Sequence, residues 1–387
     1  MTLRIACLCL LVRLFASSPA DAGDVSLTKG KSTVKATING EAFLAYVFDA
    51  GLKKPFFLPI GAAGSFEALA QALEEPESEP GDPRRQVVVV QENAAIGGKD
   101  GAIQRADFGA ILTAVEVGPD GVRIAEPAGW ISRSDVVPMI GVVTRLIDEN
   151  PPSNVDRLHP RYYDHPHHKG VWMSVDEVNE IDYWAERGRI VNQAAELTVE
   201  NGDPAVLTIT NHWVDAEDKP VLVETTTVRL HANRLIDYSA ELRPGREAVT
   251  FHDTKEGLFG IRLPNSMREF AGGGPVVNAE GLRGTNACWG KPSAWVDYRG
   301  PVGGRQLGVT LMDHPTNFRP SRFHVRDYGL FTLSPFGESS YTNGAQSAAP
   351  VTLEPGQALT LRYGLFVHAD VPEEEVRAAY DRFSKAE

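Results

Sequence analysis

A two-residue rhythm dominates the second half of this chain. Ile236, Tyr238, Ala240 and Leu242 alternate with Leu235, Asp237, Ser239 and Glu241. Leu359, Leu361, Tyr363, Leu365 and Val367 alternate with Thr360, Arg362, Gly364, Phe366 and His368. Side chains of an extended strand point to opposite faces in turn, so this pattern describes half-buried antiparallel strands and rules out long helices there. Turn signals such as ENGDP, DAEDKP, RPGRE and EPGQ separate the runs. Strands at such spacing predict an all-β protein, a large antiparallel β-sandwich. One helix is expected at the end, in VPEEEVRAAYDRFSKAE, where Pro372 and three glutamates suit a helix start.

Residues 62–138 break the rhythm. SFEALAQALEEPESEPGDPRRQ begins as a short amphipathic helix over about 62–75 and runs into an acidic, proline-rich linker at 76–85. VVVVQEN, GAILTAVEVG and GVRIAEP then read as short strands. The segment is expected to be an insertion into a single sandwich domain spanning 23–387. The first 22 residues look like a secretory leader: Arg4, an apolar run from Ile5 to Val12, and Ala20-Asp21-Ala22 as a small-x-small cleavage site. The expected location is therefore outside the cell or in the periplasm. Cys7 and Cys9 would leave with the leader, and Cys288 alone cannot form an intrachain disulfide.

The net charge of −13 argues against nucleic acid and anionic membranes as partners. No stretch after the leader approaches the ~18–20 apolar residues of a membrane-spanning helix. A small molecule or oligosaccharide is the expected partner.

Chemistry concentrates in three stretches. DHPHHKGVW (164–172) holds His165, His167 and His168, then Lys169 and Trp172. HDTKEG (252–257) interrupts apolar sequence with His252, Asp253, Lys255 and Glu256. MDHPTNFRPSRFHVRDYG (312–329) holds Asp313, His314, Asn317, Arg319, Arg322, His324, Arg326 and Tyr328. Imidazole is the side chain best suited to proton transfer near neutral pH. Indole faces suit the stacking of a sugar ring, and Trp172 and Trp184 are available for it or for the core. The favoured reading places His165, His167, Lys255, Glu256 and His324 as acid/base groups. His168, Lys169, Trp172, Asn317, Arg319, Arg326 and Tyr328 would bind substrate. Asp176, Glu177 and Asp182 lie near enough in sequence to assist. No cofactor is required. A divalent metal on His165 and His167, with His324, Asp313 or His252 as a third ligand, is a second reading, although the H-E-x-x-H spacing and cysteine pairs are absent. A loop pinned by imidazole-to-backbone hydrogen bonds is the third.

Four stretches together, DHPHHKGVW, VNEIDYW, FHDTKEGLFGIR and GVTLMDHPTNFRPSRFHVRDYGLFTLSPFG, resemble a bacterial family that carries the label "methane oxygenase PmoA", in effect a domain of unknown function. The resemblance covers about residues 38–368 outside the insertion. KKPFFLPIGAAG (53–64) and PMIGVVTR (138–145) look like two halves of one family motif, pushed apart by the insertion. The label is not an activity to carry over. The methane monooxygenase subunit of that name is an integral membrane protein, and no spanning segment is found here. The resemblance implies a secreted sandwich similar to those of sugar mutarotases and polysaccharide lyases. It also implies a carbohydrate-active protein, either an enzyme (a lyase, hydrolase or isomerase) or a non-catalytic binder. A fold alone does not choose between them.

Overall fold

The computed structural model describes residues 24–64, 86–98, 101–138, 165, 167–346 and 349–386. The leader, the expected helix and linker over 65–85, and the second half of the split motif after Pro138 lie outside these residues.

The alternating runs form the strands they predict. Leu235–Pro244 and Leu359–His368 pair antiparallel, with Ile236 opposite Leu365 and Ala240 opposite Leu361. They sit at the middle of an eight-stranded sheet. To one side lie Pro220–Leu230, Ala205–Val214 and Arg189–Val199; to the other lie Arg305–Asp313, Trp295–Val302 and Val276–Asn278. Its inner face meets a nine-stranded antiparallel sheet, and both contribute to one apolar cluster that includes Phe43, Trp213, Phe259, Leu361 and Tyr363. Each such side chain, fully buried, contributes about 1.5–3 kcal/mol relative to an exposed one. The protein is a mostly β, antiparallel sandwich.

Phe366 is buried too, because the helix Glu373–Lys385 covers that face with Val376, Ala379 and Phe383. Glu373, Glu374 and Glu375 occupy its first turn and Arg382 and Lys385 its last, as the helix dipole favours. The expectation that helix is confined to the terminus and the 62–75 region needs correction. One-turn helices also form at Thr285–Cys288 and Glu338–Tyr341.

Residues 86–138 build a seven-stranded sheet. In its strand Gln86–Val89, Val87 and Val89 face a local core with Ile96, Val122 and Ile131. Val88 turns the other way and, with Val90, Phe108 and Val137, packs on Phe56, Trp172, Trp184 and Leu330. A run of four valines suits a strand buried on both faces. This packing covers part of the outer face of the nine-stranded sheet.

Five neighbouring strands of that sheet matter for function: Phe56–Ile60, Val171–Met173, Phe259–Arg262, Leu330–Ser334 and Arg322–Val325. Trp172 lies opposite Gly260, Gly260 opposite Thr332, and Thr332 opposite His324. Directly opposed residues share a face, so this row runs along the outer surface. Gly260 is required there, since a Cβ would fall 2.2 Å from the Thr332 methyl.

Candidate functional site

The three polar stretches do reach one face of one sheet, but they form two clusters. Three strand spacings of ~4.8 Å separate Trp172 from His324, roughly 14 Å. His165 and His167 are at one end of the row, whereas Lys255, Glu256 and His324 are at the other. The expected single acid/base group is therefore split, because the strands carrying Gly260 and Thr332 run between its halves. The segment 322–329 spans both ends: His324 and Arg326 belong to one cluster and Tyr328 to the other.

At the first end, four rings form a continuous stack. Tyr328 lies on His165 at 5.3 Å, His165 on His168 at 4.6 Å, and His168 on Trp172 at 5.4 Å. His167 meets His168 edge-on at 4.4 Å and Trp184 at 6.2 Å. Arg262 Nη1 donates to His168 Nδ1 at 3.1 Å, and its guanidinium lies 5.3 Å from the Tyr328 ring centre. Gly170 makes the turn from the histidine run into strand Val171–Met173 at φ 55°; a Cβ there would meet the Phe57 carbonyl oxygen at 2.2 Å.

Below the stack lies a charged group of which sequence reading named only Lys169, missing Lys54 and Glu186. Lys169 Nζ donates to both oxygens of Glu186, at 2.9 and 2.8 Å. Lys54 Nζ is 3.5 Å from the same carboxylate, donates to the Trp184 carbonyl at 3.1 Å, and lies 5.3 Å from the Trp172 ring centre. Lys54 is only 1% exposed. Burial pulls its amine down to about 7, against the opposing pull of Glu186. Burial, then Lys54 and His165, lowers His167 to about 3. Burial and the neighbouring Arg262 also hold His168 well below its usual range. His167 and His168 are therefore neutral imidazoles at physiological pH.

Trp172 is 2% exposed, with His168 and Lys54 over its ring. The expectation of an open stacking wall is corrected. Its neighbours Val171 and Met173 face the sandwich core, so alternation turns Trp172 outward, under the seven-stranded sheet.

At the second end, Arg326 Nε donates to His324 Nε2 at 2.8 Å, and His324 Nδ1–H donates to the Lys255 carbonyl at 2.9 Å. The Tyr341 hydroxyl donates to that same carbonyl at 2.8 Å. Burial lowers His324 to about 4, against the pull of Glu256. Lys255 and Glu256 pair at 2.8 Å near the surface. Asp176 belongs here, its N–H donating to the Glu256 carbonyl at 3.0 Å. Burial, then Asp182 and Glu177, raises its carboxyl to about 6. Asp253 accepts from Ser339 and Ser340 N–H, fixing the start of the one-turn helix.

Two expected binding residues lie in neither cluster. Asn317 clasps the last long strand, donating to the Arg362 carbonyl at 2.9 Å and accepting from the Arg362 N–H at 2.8 Å. The Arg319 guanidinium lies 4.9 Å from the Phe318 ring centre and feels Glu338 and Asp253.

Among the described residues, no three His, Cys, Asp or Glu side chains are arranged to hold a metal. Of the metal reading, His165 and His167 do lie together, their ring centres 5.5 Å apart and their planes at 75°. Of its third ligands, His324 is at the far end of the row, and Asp313 accepts from Asn317 and Ser321. His168 Nδ1 is committed to Arg262.

Fold and site together define an antiparallel sandwich with an aromatic and cationic corner on the outer face of one sheet. The chain belongs to DUF6807, a family of unknown function whose model matches residues 142–381. No curated protein matches it. Among solved structures it is similar to a beta-arabinopyranosidase at 15% identity and TM-score 0.26, covering 73% of this chain and 40% of that one. The chain thus spans about two fifths of that relative. A galactose 1-epimerase from Lactobacillus acidophilus NCFM is similar at 10% identity and TM-score 0.29, covering 89% and 98%. A polysaccharide lyase is similar at 11% identity and TM-score 0.24, covering 95% and 35%. No described helix is long and apolar enough to cross a membrane.

Proposed function

We propose that the histidine corner is the acid/base site of an exported enzyme acting on a sugar. The observation that supports it best is the pair of amines on one carboxylate, Lys54 and Lys169 on Glu186, beneath neutral imidazoles. General acid/base catalysis works best with a group whose pKa lies near the working pH. Lys54, at about 7, is such a group; His167, at about 3, is not. The proton-transfer role expected of His167 therefore passes to Lys54. His167 becomes a hydrogen-bonding group for a sugar hydroxyl, and Glu186 holds the Lys54 amine in place. His324, Lys255 and Glu256 lie too far along the row to act on the same atoms.

The test is turnover of a panel of free sugars and glycosides, following anomer exchange, bond cleavage and elimination separately. Activity should rise with pH through about 7, as Lys54 loses its proton. Lys54→Met should lose at least about a hundredfold, the low end of general-base catalysis. Sugar binding by the parent without turnover would favour the non-catalytic binder, which needs the same corner but no titrating group. A parent that neither binds nor converts any sugar refutes the reading.

A further inference from the structure

The histidine corner carries donors without acceptors to match them. Arg262 can only donate, so its contact makes His168 Nδ1 the acceptor and places the imidazole proton on Nε2. That Nε2–H is buried and meets no hydrogen-bond partner. The indole Nε1–H of Trp172, stacked on the same imidazole, meets none either. Unpaired groups of this kind are expensive to bury and rare in native proteins. Lys54 and Lys169 add two amines, and their shared carboxylate, Glu186, is already engaged by both. A neutral sugar hydroxyl gives a proton as well as accepting one. A carboxylate only accepts, which matches two converging donors. We infer that the corner contains an oxyanion subsite and that its carbohydrate is a uronate, with the carboxylate against His168 Nε2–H and Trp172 Nε1–H and with Lys169 as counter-ion. The inference rests on the sugar reading above and narrows it to acidic sugars.

The test is calorimetric titration of the mature chain with galacturonate and glucuronate. Galactose and glucose are the neutral counterparts, and acetate and phosphate are anions without a ring. Uronates should bind at least about tenfold tighter than their neutral counterparts, as charge-assisted hydrogen bonds require. Trp172→Phe keeps the ring and deletes the N–H, and should cost about tenfold for uronates alone. Equal affinity for acidic and neutral sugars overturns the oxyanion subsite and leaves the sugar reading standing. Acetate or phosphate binding as tightly as the uronates keeps the subsite and overturns the sugar. Binding of no probe overturns both. Lys169→Met should show the same selective loss if the Trp172 variant fails to fold, and the comparison of acidic with neutral sugars in the parent needs no variant.

Discussion

His168 and His324 lie on one face of one sheet, and an arginine holds each of them, yet the two are held in opposite ways. Arg262 occupies Nδ1 of His168 and leaves the Nε2–H without a partner. Arg326 occupies Nε2 of His324, and the remaining Nδ1–H finds the Lys255 carbonyl. Both are 1% exposed. The pairing at His324 is complete, as expected of a side chain that fastens a loop to a strand. The pairing at His168 is half complete, which leaves a fixed donor for something else. Burial alone therefore does not separate a structural histidine from a functional one. What the second nitrogen meets does.

The contrast can be broken by substitution. His324→Phe would take the acceptor from the Arg326 Nε–H and one of the two donors from the Lys255 carbonyl, which keeps the Tyr341 hydroxyl, and should cost about 2 kcal/mol. His168→Phe loses one hydrogen bond and also removes an unpaired donor, so it should cost only about 1 kcal/mol. Chemical denaturation of both variants measures the difference; equal losses would erase it. The pH dependence sharpens the point. The folded value for His324, about 4, lies below its ordinary 6.5, so the unfolded chain takes up the proton first. Stability is therefore full above about pH 6.5 and falls as pH drops toward 4, by up to about 3 kcal/mol. That acid-side slope should shrink in His324→Phe. A slope unchanged in the variant would show that other groups carry it.

A comparable effect is expected at Glu186. Glu186→Gln removes the carboxylate that Lys54 and Lys169 share and sets two amines against each other. The loss should be about 2 kcal/mol and should ease as pH rises above about 7, where Lys54 is neutral. Smallest is Asn317→Ala, about 1 kcal/mol from the lost clasp on Arg362, with no change in the affinity of any ligand that binds the histidine corner. A selective loss of binding there would return Asn317 to the site.

These residues also show what was legible beforehand. Strands such as Leu235–Pro244 could be read directly, because alternation is a local consequence of a half-buried sheet. The histidine run could be marked as chemical because its residue types are costly to bury. Its partners could not be found. Lys54 reaches Trp184 and Glu186 across some 130 residues of chain, and nothing local announces the meeting. The one hint was a lysine directly before the apolar Pro55-Phe56-Phe57, where an exposed amine is not expected. Asn317 misled for the opposite reason: a polar side chain in a motif rich in arginine reads as a ligand contact, and here its partner is backbone. The division of the polar stretches into two clusters depends on strand order, which alternation does not encode.

The central claim is that His168 keeps an unpaired Nε2–H, poised for an acceptor, while His324 is saturated. Two-bond proton–nitrogen correlation spectra of the imidazoles at neutral pH report it directly. His168 should appear as the Nε2–H tautomer and His324 as the Nδ1–H tautomer, and galacturonate should move the His168 Nε2 resonance while leaving His324 in place. An Nδ1–H or doubly protonated His168, or a galacturonate shift as large at His324 as at His168, would contradict the account.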